Sequence, residues 1–180
     1  MRRFLKFATG CVLAAGLTVP AGNASACAFS VIDHRWNKDT SGIWNPSIYR
    51  GMTYALGGAQ VGTALWEGTE SRLGNTSWKG IDGDLITIAS TEVIRKATSR
   101  ERPSVTKDPC EWFKGNGNDS FPSGEAAFAA ALVTPYILEY AHEYPATYAL
   151  LLFPLYVGIG RIKAQSHWQT DVLVVCLRIT

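Results

Sequence analysis

No stretch of this chain alternates polar and apolar residues at period two; its apolar residues fall instead in long blocks or at helical spacing. The strongest blocks are residues 126–140 and 145–159, each about 15 residues long. A membrane-spanning helix needs about 20 apolar residues, and these blocks are cut or bounded by Pro135, Glu139, His142, Glu143 and Pro154. They suit buried core helices better than spans. Weaker helical spacing runs through 46–66 (Tyr49, Met52, Ala55, Leu56, Ala59) and 82–98 (Leu85, Ile86, Ile88, Ala89, Val93, Ile94). Between them the polar stretch 68–80 reads as a connection, and 104–121 as a loop after Pro103 stops the second helix. A last helix is expected from about Ala164. The expected fold is all-α, a single-domain helical bundle, which 180 residues with 47% hydrophobic content can support. Seventeen Lys+Arg against 15 Asp+Glu exclude a nucleic-acid binder that works by bulk charge.

The first 26 residues read differently. Arg2, Arg3 and Lys6 precede an apolar run over 7–19 and the small-residue ending Ala24-Ser25-Ala26, the three parts of a secretory signal peptide. Cleavage there gives a periplasmic or secreted protein and leaves 14 basic residues (17 − 3) against 15 acidic, a balance of −1. An uncleaved anchor is the alternative, although the run is short for a span. Lipid anchoring at Cys27 is another, although Ala24 is a poor substitute for the Leu usual before a lipidated Cys. Residues 27–45 are rich in turn formers and read as an arm, with the helical domain over 46–180. Of the cysteines beyond the signal, Cys27, Cys110 and Cys176, a disulfide leaves one over, and Cys27–Cys110 is one pairing that the count allows.

Three segments carry candidate chemistry. In the first, Arg95 and Arg102 lie seven apart, almost two helical turns, so both can face one site. Guanidinium groups bind phosphate oxygens in bidentate fashion. In the second, Phe121-Pro122-Ser123-Gly124-Glu125 enters an apolar block with Ser123 as a candidate N-cap. A helix start offers backbone N–H groups and a positive dipole end, and Gly124 allows an anion close to the backbone. The third joins Arg161 to His167 and Asp171. At i and i+4 on one helical face, the carboxylate can accept the imidazole N–H, fix the tautomer and leave the other ring nitrogen as a nucleophile. His34 and His142 lie outside these segments and are read as structural or surface residues.

Arg-x6-Arg-Pro, then Pro-Ser-Gly-Glu, then Arg-x5-His-x3-Asp resembles the three-part signature of the type 2 phosphatidic acid phosphatase and vanadium haloperoxidase superfamily. The resemblance spans Arg95 to Asp171 and includes Trp168 after the His. It implies a helical bundle whose active site is formed by two loops and two helix ends. It also implies a phosphatase acting on phosphomonoesters or lipid (di)phosphates through a phosphohistidine, with His167 as nucleophile and Asp171 as its orienter. Arg95, Arg102, Ser123, Gly124 and Arg161 would hold phosphate oxygens. The arginines supply the positive charge, so no metal or other cofactor is expected; vanadate would enter only if the protein were a haloperoxidase. The implied partner is a small-molecule or lipid phosphate, the latter reached by peripheral contact with a membrane surface.

Two positions depart from the pattern. Arg95 stands where Lys is usual, with Lys96 beside it, and still supplies charge and donors. Glu125 stands where the family has a His that protonates the leaving alkoxide. A Glu can do so only when protonated, which points to an acid-shifted enzyme favouring good leaving groups. The alternative is that Glu125 caps its helix or pairs with an Arg. The same departure counts against the haloperoxidase reading, and a non-catalytic binder of phosphorylated lipid is the reading from another class. Only residues 172–180 follow Asp171, so its helix is expected to be short, as a truncation or a variant end.

Overall fold

A computed structural model describes residues 28–176 apart from 116 and 118, so the signal-like segment and Cys27 lie outside the described residues. Among the described residues there are five α-helices and no strand. They are α1 (Pro46–Glu67), α2 (Arg72–Thr98), α3 (Gly124–Tyr140), α4 (Leu152–Lys163) and α5 (Gln169–Cys176). Short 3-10 turns cover Ala28–Val31, Gly42–Trp44 and Pro145–Leu151. The fold is all-α, as the absence of period-two patterning implies.

Helix α3 lies at the centre because its faces are small and apolar. Ala126, Ala127, Ala129, Ala130, Leu132, Val133 and Ile137 are all buried. Its alanines allow close neighbours: Ala129 packs with Tyr49 of α1 and Val157 of α4. Ala126 packs with Ile162 and Val172. Gly158 gives α5 the same closeness to α4, since a Cβ there would stand 2.4 Å from Val172 Cγ1.

Three expectations need correction. Residues 68–80 are not a connection, because α2 already begins at Arg72, capped by Ser71, whose side chain accepts from the Gly74 N–H at 3.0 Å. The polar residues there are compatible with helix because Thr76 and Ser77 donate to the carbonyls of Arg72 and Leu73. The last helix starts at Gln169, not near Ala164, which instead ends α4. The block at 145–159 opens as a 3-10 turn and continues to Lys163; over Pro145–Lys163 it is long and apolar enough to cross a membrane by length and composition.

The close approach of α1 and α2 creates a buried polar pair. Gly80 has no side chain to obstruct Gln60, and a Cβ there would stand 2.4 Å from Gln60 Nε2. That amide donates to Asp84 Oδ2 at 3.0 Å, and burial pushes the Asp84 carboxyl up to about 6. The arm is held equally firmly. Asp33 is buried and accepts from the Thr170 N–H at 2.8 Å, while His34 and Gln169 exchange backbone-to-amide bonds at 2.9 and 2.7 Å. Fully buried Arg100 reaches Asp33 at 2.6 Å, Asp171 at 2.5 Å and the Pro109 carbonyl at 2.7 Å. Cys110 beside it is disulfide-bonded, and the proposed pairing with Cys27 lies outside the described residues.

Arg100→Met should lower the unfolding free energy by about 3–5 kcal/mol, because it strands two buried carboxylates; urea denaturation measures this. Asp84 gives a pH signature. Its folded-state value is raised above 3.8, so the stability it contributes is present below about pH 4 and lost as pH rises through about 6. Thermal melts of Asp84→Asn against wild type should therefore move in the variant's favour between pH 4 and pH 7.

Candidate active site

The three sequence segments meet at a cavity of about 620 Å³. Arg95 enters from the last turn of α2, Gly124 and Glu125 from the start of α3, and Arg161 from the end of α4. Arg102 and His167 enter from the connections 99–123 and 164–168. The site thus uses two loops, but three helix ends rather than two, and the interior of α1 contributes as well. Ser123 and Asp171 lie behind the wall, both fully buried.

Arg95 and Arg102 converge, but not as helical neighbours. Helix α2 ends at Thr98, where Ser99 takes a left-handed conformation with φ of 38°. Arg102 is instead fixed by donating from Nη2 to the Asp119 carbonyl at 3.1 Å. Burial and the nearby Arg161 and Arg95 push its guanidinium below the ordinary value. Such crowding of like charge is relieved by an anion.

Ser123 occupies the N-cap position of α3, yet its side chain makes no capping bond, contrary to expectation. Its Oγ is buried without a hydrogen-bond partner, as are Arg95 Nε, Arg161 Nε and Glu125 Oε2. Unsatisfied donors are rare in protein interiors. Two of these donors, on Arg95 and Arg161, belong to residues that line the cavity, and the third, on Ser123, lies behind its wall. The Ser123 N–H is already taken by the Asp171 carbonyl at 2.9 Å, so the backbone contribution falls to the free N–H groups of the next turn.

His167 is buried, and its Nδ1 lies 2.6 Å from the Ser120 carbonyl. A carbonyl can only accept, so Nδ1 carries the hydrogen and Nε2 the lone pair. Nε2 lies 3.5 Å from Arg161 Nη2, at the cavity. Desolvation comes first, then the charges of Arg161 and Arg102; together they push the imidazole well below its ordinary value. The ring is therefore neutral.

The expected His–Asp bond is not formed. Helix α5 begins only at Gln169, so His167 and Asp171 do not share a helical face, and Nδ1 stands 3.9 Å from Asp171 Oδ2. Asp171 acts one step away instead. It accepts from Ser120 Oγ at 2.5 Å and from the Trp168 N–H at 2.8 Å, gripping the residues whose positions fix the imidazole. Burial pushes its carboxyl up, opposed by Arg100, Ser120 and Trp168.

Glu125 is ion-paired to Arg50 at 3.0 Å and to Arg161 at 3.2 Å. The pairing with Arg that the sequence allowed is therefore present. Arg50, Arg100, Asp33 and Ser120 escaped the sequence reading. Arg50 had one available signal, a guanidinium in a helix whose other charged residue is Glu67 at its end. Arg100 sat inside a charged run and carried no mark distinguishing it from its neighbours. Among the described residues, no group of three or more His, Cys, Asp or Glu could hold a metal ion.

A family profile of the PAP2 superfamily matches residues 85–177, from the middle of α2 past Asp171. Comparison with curated proteins and with solved structures gave no match. Arg50 and Asp33 lie before the matched region. With more than half of its length covered, all three segments included, the chain belongs to the PAP2 superfamily, whose members generally hydrolyse phosphoesters.

Proposed function

We propose that this protein is a phosphatase that hydrolyses phosphomonoesters or lipid (di)phosphates through a phosphohistidine at His167. The observation that carries the reading is the neutral imidazole, its Nδ1–H on the Ser120 carbonyl and its Nε2 lone pair at an arginine-walled cavity. Phosphoryl transfer depends mainly on positioning and charge neutralisation. Arg95, Arg102 and Arg161 supply the charge, Ser123 and Gly124 the close donors.

In the reaction, Nε2 attacks phosphorus and the bond to the leaving oxygen breaks with its electron pair. Water then attacks the phosphohistidine, releasing phosphate and restoring the imidazole. Aryl phosphates and diphosphates leave as stable anions and need no proton at that step. They are the favoured substrates, because Glu125 is engaged by two guanidiniums. The signal-like start and the disulfide at Cys110 support action outside the cytoplasm.

His167→Ala should reduce p-nitrophenyl phosphate turnover by about 10³-fold or more, and acid-labile, base-stable labelling by radioactive phosphate should disappear with it. The lowered imidazole value keeps the nucleophile deprotonated as pH falls, so wild-type kcat/KM should hold from pH 7 through pH 6. For Glu125→Gln, aryl and alkyl phosphate rates should change by the same factor. A selective loss on the alkyl ester would make Glu125 the proton donor.

A further inference from the structure

A second cavity, of about 330 Å³, continues the phosphate pocket along the seam between α1 and α2. Thr53, Tyr54, Ile88 and Phe128 line both. Beyond them the walls are apolar, from Val61 on one side and Ile81 and Leu85 on the other. Gly57 and Gly58 contribute only backbone to the α1 wall.

Asp84, 8% exposed, is the one carboxylate lining this groove. Its Oδ2 is satisfied by Gln60, but its Oδ1 is buried without a hydrogen-bond partner. A carboxylate oxygen stranded among apolar side chains is costly, and phosphate chemistry at His167 makes no use of it. We propose that the groove binds the organic chain of the phosphate substrate and that Asp84 Oδ1 accepts a hydrogen bond from a hydroxyl or amine on that chain. This rests on the reading of the adjoining cavity as a phosphate site.

The fold also fixes where that donor sits. Thr91 lines the phosphate pocket and lies against Gly124, where a Cβ would be 3.5 Å from its Cγ2. Asp84 precedes it by seven residues on α2, about 10 Å at 1.5 Å per residue and roughly the length of an extended eight-carbon chain. The ligand class is an amphiphile with phosphate at one end, an apolar chain, and a hydrogen-bond donor about eight carbons away. An unsubstituted alkyl chain fits the walls but leaves Oδ1 unsatisfied.

Alkylphosphonates test this without turnover. Titration calorimetry on the wild-type protein compares 8-hydroxyoctylphosphonate with nonylphosphonate, in which a methyl replaces the hydroxyl, and 4-hydroxybutylphosphonate with pentylphosphonate. The hydroxyl should tighten Kd by about tenfold at eight carbons and give no gain at four. In Asp84→Leu the eight-carbon gain should vanish. A hydroxyl that gives no gain at eight carbons, an equal gain at both lengths, or a gain that survives in Asp84→Leu overturns the proposal. Because the chain-length contrast uses only wild-type protein, poor folding of the variant does not remove the test. Failure to hydrolyse p-nitrophenyl phosphate alongside the expected Kd pattern would overturn the phosphatase reading and leave the groove standing.

Discussion

A guanidinium with no access to solvent holds this structure together. Arg100 lies between the carboxylates of Asp33 and Asp171 and contacts the Pro109 carbonyl and the face of Trp112. Taking three charges out of water is expensive, and only dense pairing compensates for it. The arrangement joins four parts of the chain: the arm, the connection that follows α2, the loop around Pro109 and the start of α5. From Asp171 the order passes through Ser120 to the ring of His167. The His167 ring is therefore positioned by a residue that does not line the cavity.

The cavity follows the opposite principle. Arg50, Arg95, Arg102 and Arg161 gather around it, and the Nε atoms of Arg95 and Arg161 are left without partners. Glu125 and Glu92 offset part of that charge through their ion pairs. Burial first, and then the positive field of Arg161 and Arg102, push the His167 imidazole below its ordinary value. The arginines Arg102 and Arg161 thus both line the cavity and act on the imidazole. Glu125 shares a single oxygen between Arg50 and Arg161.

The helical class and much of the site were legible in the sequence, for separable reasons. Helical spacing located α1, and a long apolar block located α3, which is buried on several sides. Spacing also gave the second half of α2. It missed the start of α2 because Thr76 and Ser77 satisfy their hydroxyls on their own helix, which no polarity pattern reveals. Residue types at fixed spacing singled out Arg95, Arg102, Arg161 and His167, which the fold gathers at one cavity. The same arithmetic misjudged the partnership of His167 with Asp171, since i and i+4 are neighbours only inside a helix. Arg50, Asp33 and Ser120 act through tertiary contacts, and Ser120 acts on the imidazole through its backbone carbonyl, an atom every residue possesses.

The arm's anchorage also sets an order of events during folding. Asp33 meets Thr170 across 137 positions of chain, and Arg100 meets Asp171 across 71. Contacts so distant in sequence cannot form until the later partner has been synthesised, and loop closure makes them slow to form even then. A nascent chain ending before α5 holds Arg100 without the Asp171 carboxylate and Asp33 without Thr170. The clamp on Arg100 and the placing of the His167 ring are therefore completed only when α5 docks.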